Sequence, residues 1–374
     1  MGEMLEAAAK AVIELETRAA EVDLAGRFPT ENYELLRTLG YLRGPVPAEL
    51  GGLDATLEET VAAQRIIAAA CASTALAVNM HLFQVGAAAE GWRGSGANEP
   101  ALRRVAEDGI VLGSTGAEAI VAGAWDTGTV ATPDGEGYRI TGRKFFCSQA
   151  DVMDVVRVNA KDAATGEILV VAISASAEGV SVDPTWDTMG MRATASHDLV
   201  LDDVFVPATA VGARLPAEGP AWDPAFARAI RWFLSGVSGV YVGIADRARE
   251  VALASLGTGN NTTYRAEALT EEVVGRMETA HFRASSLLET GVRRVAAEPD
   301  VVEAMVVAMT TKQEATAAAA EVVDHAVTLV GGRSYFRKSV LERLVRDMHA
   351  ARFHPPSAPV SHQMIGIHRL RASA

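Results

Sequence analysis

Apolar positions recur every three or four residues over long stretches at the start of the chain, most clearly from Leu57 to Ala75. The same period returns late, through Phe226 to Leu256, Leu269 to Ala296 and Val301 to Val330. That spacing predicts helices that bury one face. Between them the pattern shortens into β-rich runs set off by turn residues: Tyr138 to Thr141 after Pro133-Asp134-Gly135, Ile168 to Ile173 after Thr165-Gly166, and Leu199 to Leu201 running on to Phe205-Val206-Pro207. Gly44-Pro45-Val46-Pro47 and Gly51-Gly52 break the first helical region, and Gly331-Gly332 supply a stop for the last long helix. The order helices, strands, helices predicts an α+β chain of three segments: a helical domain over 1–112, an antiparallel β-domain over 113–208 and a helical domain over 209–374. A sheet facing helical layers leaves a cleft suited to a flat cofactor.

Composition removes several classes of function. The chain has 374 residues, 49% of them hydrophobic and 22% charged, which excludes a disordered protein. Its first residues lack the basic and apolar regions of a signal peptide, and its apolar runs fall far short of the roughly 20 residues a membrane helix needs. A cytoplasmic protein without a membrane partner is expected. Cys71 and Cys147 belong to no ligand pattern, and the histidine spacings fit no metal site. The net charge of -13 argues against nucleic acid. From Arg333 to Arg371 the balance reverses, with eight Lys and Arg against Glu342 and Asp347, a bias able to meet a small anion or simply to be solvated. No G-x-G-x-x-G, phosphate loop or G-x-S-x-G elbow is present.

Five passages in order carry a family resemblance. They are Phe28-Pro29 with Pro47-Ala48-Glu49-Leu50-Gly51-Gly52; Thr141-Gly142-Arg143-Lys144-Phe145-Phe146-Cys147-Ser148; Trp186-Asp187-Thr188-Met189-Gly190-Met191-Arg192-Ala193-Thr194-Ala195-Ser196 leading into Leu201-Asp202-Asp203-Val204-Phe205-Val206-Pro207; Leu329-Val330-Gly331-Gly332-Arg333-Ser334-Tyr335; and Leu341-Glu342-Arg343-Leu344-Val345-Arg346-Asp347. Together, from about residue 25 to 366, they resemble the acyl-CoA dehydrogenase superfamily. The resemblance implies that family's fold, with a C-terminal four-helix bundle, and FAD as cofactor, with FMN or an exchangeable reduced flavin as the alternative. It implies that Ser148 donates to flavin N5, that Thr115, Phe146 and Cys147 lie at the ring, that Thr328, Gly331 and Gly332 serve a neighbouring subunit's cofactor, and that Arg192 contacts substrate. It also implies a homotetramer or homodimer served by an electron-transfer flavoprotein or a flavin reductase.

The pattern breaks where such enzymes keep the carboxylate that removes an α-proton. The two positions for that base hold Pro355 and Ala229, and Gly123-Ala124-Trp125 replaces the family's Gly-Ser-Asp. Histidines stand nearby. A monooxygenase branch of the superfamily lacks the glutamate and sets histidines around the flavin C4a position, and His81 and His354 match those places, with Ser148 beside them. An imidazole titrating near neutrality can hold or return a proton there, although a histidine on an apolar helix is as often a bonded core residue. Three readings stay open: oxidation of a Cα–Cβ bond of an acyl-CoA or similar thioester, oxygenation of a small organic or aromatic substrate by reduced flavin and O2 using His81, Ser148 and His354, and a non-catalytic flavin-binding scaffold.

Overall fold

A computed structural model describes residues 2–118, 127–256 and 268–372. Five helices open the chain: α1 (Glu3–Ala25), α2 (Thr30–Thr38), α3 (Leu57–Ala70), α4 (Ala72–Ser95) and α5 (Glu99–Glu107). The periodic stretch from Leu57 to Ala75 is two helices, because Cys71 takes an extended backbone (φ -148°, ψ 97°) between α3 and α4. A capping box starts α3: Thr56 Oγ1 accepts from Glu59 N–H while the Glu59 carboxylate accepts from Thr56 N–H.

Eight described strands follow: β1 (Leu112–Thr115), β2 (Val130–Asp134), β3 (Gly137–Cys147), β4 (Val155–Asp162), β5 (Ile168–Ser174), β6 (Val180–Asp183), β7 (His197–Pro207) and β8 (Val211–Leu215). They form one sheet in the order β6-β7-β3-β2-β4-β5-β8, with β1 on β4. Most neighbours are antiparallel, but β1 and β2 both pair with β4 in parallel. The run from Leu199 to Pro207 lies in one strand, as its pattern predicts, but the sheet extends past residue 208 to take in β8, whose alternating exposed and half-buried positions carry little strand signal.

The last segment holds α6 (Pro224–Ser255), α7 (Ala268–Ala297), α8 (Val301–Val330), α9 (Val340–His349) and α10 (Ala358–Ala372). The three long helices agree with the apolar period to within about two residues at each end. Helix α6 crosses the first domain closely enough to require glycine. A methyl group at Gly236 would lie 1.9 Å from Asn79 Oδ1 on α4, and one at Gly243 would lie 2.3 Å from the Arg65 carbonyl on α3. One apolar core therefore runs through both helical domains, while the sheet has its own. No described helix is long and apolar enough to cross a membrane.

Candidate active site

The strand β3 ends on an irregular turn. Its pairing with β7 slips between Lys144 and Cys147, and Phe146 and Gln149 adopt left-handed backbone (φ 56° and 59°). Across from them, Met191 and Ala195 do the same (φ 53° and 43°). Four of the seven described non-glycine residues with positive φ thus bracket Ser148, each carrying strain of about 1–3 kcal/mol that the surrounding bonds must hold. The bonds are present. Gln149 N–H donates to Thr194 O (2.8 Å), Gln149 Nε2 donates to Leu112 O (2.7 Å), and Tyr33 of α2 donates to Gln149 Oε1 (2.6 Å). The twist turns Phe146 outward: it is 61% exposed, with Trp186 edge-on at 6.0 Å.

Ser148 itself is buried and begins a chain of hydroxyls. Its Oγ lies 2.8 Å from Ser196 Oγ, which lies 2.7 Å from Thr194 Oγ1, which donates to Met191 O at 3.0 Å. Met191 N–H in turn donates to Asp347 Oδ1 of α9 (2.6 Å). Gly190 explains why this loop can reach α9: a methyl group there would lie 2.1 Å from Arg346 O. Burial pushes the Asp347 carboxyl up to about 6, despite the Met191 N–H that favours its charged form. Beside it, Arg346 forks onto Asp23 of α1 and onto Glu342. Three domains therefore meet at Met191 and Asp347.

His354 follows α9 by five residues. Its Nδ1 lies 2.9 Å from both Ala350 O and Tyr241 Oη of α6. A carbonyl cannot donate, so Nδ1 carries the hydrogen and Nε2 is the bare nitrogen. Nε2 makes no hydrogen bond to a described residue and is not a buried atom. Although the residue as a whole is only half-buried, protein packs densely around the ring and pushes its pKa down to about 4, with a smaller contribution from Lys312. The loop is held from α8. Lys312, 1% exposed, donates Nζ to His354 O (3.0 Å) and Pro356 O (3.3 Å), and Gln313 Nε2 donates to Pro356 O (3.2 Å) and Ser361 Oγ (2.8 Å). Burial without a described carboxylate partner pulls the Lys312 amine down to about 8.

Several residues singled out from the sequence have other work here. His81 is 0% exposed, and both ring nitrogens are taken: Nε2 donates to Leu42 O (2.8 Å) and Nδ1 accepts from Leu112 N–H (3.0 Å). It pins α4 to the entry of β1 and has no atom left for a substrate proton. Arg192 donates to Asp23 O (2.9 Å) and Thr188 O (3.0 Å), tying the end of α1 to the loop before β7. Cys147 faces the sheet's core with its sulfur 3.6 Å from Met153 Sδ, and burial pushes the thiol up to about 12. Its side chain is inert. Thr115 donates to Phe145 O (2.5 Å), joining β1 to β3 and leaving only its lone pairs to offer. Thr328 is exposed and bonded to Asp324 O of its own helix (2.9 Å). Gly331 sits at φ 67° and ψ -150°, and a methyl group added there or at Gly332 would meet nothing within 4 Å, so both stand open to an approaching group. Of the basic C-terminal stretch, Arg346 and Arg369 are already paired with carboxylates. Gly123-Ala124-Trp125 lies outside the described residues.

Thr194, Ser196, Tyr241, Lys312 and Asp347 complete the arrangement. Only Thr194, Ser196 and Asp347 stood inside a motif, and none carried a role there. The arrangement can do three things chemically. An exposed aromatic next to a buried hydroxyl suits the edge of a flat heteroaromatic ring. Open glycines suit close approach of a phosphate. A neutral imidazole with one bare nitrogen accepts a hydrogen bond but is a weak base.

Comparison with known proteins adds an independent line. The patterns of the acyl-CoA dehydrogenase N-terminal, middle and C-terminal domains match residues 2–91, 117–204 and 235–357. The chain is 31% identical to YdbM of Bacillus subtilis (strain 168), a protein with an acyl-CoA dehydrogenase name, over 96% of this chain and 93% of that one. It is 30% identical to the L-evernosamine nitrososynthase of a Micromonospora species, over 95% of this chain and 88% of that one. The solved structure of KijD3 in complex with FMN and a dTDP-3-amino-2,3,6-trideoxy-4-keto-3-methyl-D-glucose superposes with a TM-score of 0.87 at 28% identity, covering 98% of this chain and 93% of that one.

Proposed function

Because the chain belongs to the acyl-CoA dehydrogenase family, we propose that it is a flavin-dependent enzyme of that family that oxygenates an amine nitrogen, and that it does not dehydrogenate acyl thioesters. One observation carries the choice: the base. The two positions at which dehydrogenases keep a carboxylate hold Ala229 and Pro355, and the titratable group beside Pro355 is His354, whose pKa burial pushes down to about 4. His354 carries its hydrogen on Nδ1 toward Ala350 O and leaves Nε2 as an uncharged acceptor in dense packing, which disfavours the imidazolium that removal of an α-proton would create. A neutral acceptor suits an amine, whose nitrogen must keep its lone pair. The relatives named for amino-sugar nitrososynthesis and the KijD3 complex with an amino sugar favour the same substrate class.

The residues fit a flavin: exposed Phe146 and buried Ser148 would lie at its ring, and Gly331-Gly332, with open space beside them, would admit the phosphate of a cofactor in a neighbouring subunit. When bound in reduced form, the flavin supplies the two electrons that activate O2. The net reaction takes an amine, O2 and two electrons with two protons to a hydroxylamine and water. His354 Nε2 accepts the amine N–H and orients the nitrogen. Ala350 O fixes the ring's tautomer, Tyr241 Oη lies against the same Nδ1, and Lys312 holds the loop that carries the ring. A separate flavin reductase is the matching electron source.

The test is spectroscopic. Purified protein loaded with FMN or FAD and mixed anaerobically with a panel of acyl-CoAs should keep the visible band of oxidised flavin. Loaded with reduced flavin and mixed with O2, it should reoxidise the flavin more slowly than free solution does and turn over amino sugars or alkylamines to hydroxylamines. Anaerobic bleaching by an acyl-CoA would overturn the proposal in favour of dehydrogenation. Uptake of flavin with neither bleaching nor turnover would favour the scaffold reading, and failure to take up flavin in either form would overturn the flavin assignment itself.

A further inference from the structure

The hydroxyl chain behind Ser148 has a direction. Three side chains, Ser148, Ser196 and Thr194, have three hydrogens for the three contacts among them and Met191 O. The chain ends on a carbonyl, which only accepts, so the Thr194 hydrogen goes to Met191 O. Thr194 Oγ1 must then accept from Ser196, and Ser196 Oγ must accept from Ser148. Thr194 and Ser196 are 0% and 4% exposed, so water offers these inner hydroxyls no substitute partner. Ser148 thus spends its one hydrogen inward and turns only lone pairs to the cleft, the reverse of the donor role that the family resemblance implies for it.

We infer that Ser196 and Thr194 are positioning residues that set Ser148 as a hydrogen-bond acceptor, so that the site selects the reduced flavin over the oxidised one. The inference rests on the reading above, with flavin N5 set against Ser148 as the family resemblance implies. Reduced flavin carries a hydrogen on N5 and can donate it to Ser148 Oγ. Oxidised flavin has a bare lone pair there and would face the serine lone pairs. Reversing the chain to donate outward leaves Thr194 Oγ1 and Met191 O 3.0 Å apart with no hydrogen between them. Met191 O keeps its bond from Trp186 Nε1 (3.0 Å), so the reversal forfeits one hydrogen bond and does not orphan the carbonyl. The expected preference is about tenfold, which for a two-electron couple raises the bound flavin's potential by about 30 mV.

The experiment titrates the full chain with FMN and with FAD, oxidised in air and photoreduced without oxygen, and measures the potential of the bound flavin. Wild type should bind the reduced form about tenfold more tightly. Ser196→Ala frees the Ser148 hydrogen, and Thr194→Val, which keeps the shape, removes the anchor on Met191 O. Each should erase most of the preference and lower the potential, and the valine variant serves if the alanine variant does not fold. Ser148→Ala should weaken the reduced form more than the oxidised one. If wild type binds both forms equally, or if Ser148→Ala changes flavin affinity while Ser196→Ala and Thr194→Val leave the ratio intact, the polarity argument is overturned. If Ser148→Ala changes the affinity of neither form, flavin does not sit at Ser148, and it is the placement above that fails.

Discussion

Replacing His81 with glutamine separates a structural from a catalytic histidine. In the fold, desolvation depresses the His81 pKa from 6.5 to about 4; the bond to Leu42 O and the charge of Asp154 oppose this, and Arg37 adds to it. Protonation would also set a second N–H against the Leu112 amide that Nδ1 now accepts. The neutral form is therefore the one the fold favours, and the unfolded chain binds the extra proton more readily. Stability from this group is fully present above pH 6.5 and is lost as pH falls toward 4. Between pH 7.5 and 5 the loss comes to about 2 kcal/mol. Glutamine can keep one of the two main-chain bonds, so His81→Gln should cost about 1–2 kcal/mol at pH 7.5 and show a pH dependence smaller than wild type by the same 2 kcal/mol. Urea unfolding at the two pH values, followed by tryptophan fluorescence, measures both. His354 and every other shared group cancel in the difference. Equal pH dependence in the two proteins would refute the reasoning, as would a hundredfold fall in turnover with unchanged unfolding midpoints.

Other substitutions probe the remaining contacts. His354→Ala should leave flavin affinity intact while turnover falls by about a hundredfold; equal losses in both would mean that His354 supports the fold. Tyr241→Phe removes one partner of Nδ1 and should lower turnover by about tenfold at little cost in thermal midpoint. Lys312 is held with its amine depressed to about 8, so its neutral form is favoured and wild-type stability should rise with pH from 7 to 10, by about 3 kcal/mol at most. Lys312→Met should abolish that rise and reduce turnover through the His354 loop, both read by unfolding and steady-state assays. Arg192→Lys should lower the thermal midpoint, by about 1 kcal/mol of stability, and leave the substrate KM unchanged; a raised KM would return Arg192 to the substrate.

Much of the fold was legible because it depends on local rules. The apolar period placed α6, α7 and α8 nearly to the residue, and turn residues located β3, β5 and β7. The missing carboxylate was equally plain, since an alanine and a proline at two positions need no coordinates to be read. What sequence could not carry was direction and company. His81 and His354 looked alike as histidines near motifs, yet one has both nitrogens bonded to main chain and the other keeps one bare. Lys312 shows only as a lone cation on a small-residue helix, Met309 to Ala320, and Tyr241 as another apolar position on α6. Their meeting with the loop after α9 joins residues 42 to 113 positions apart. Hydrophobic burial acts through the identity and spacing of residues, so sequence alone determined the layers of this protein. Hydrogen bonds act through the orientation of single atoms, so only the packed chain decided that both nitrogens of His81 are bonded, that Arg192 ties α1 to the loop before β7 and that His354 keeps one nitrogen without a bond to a described residue.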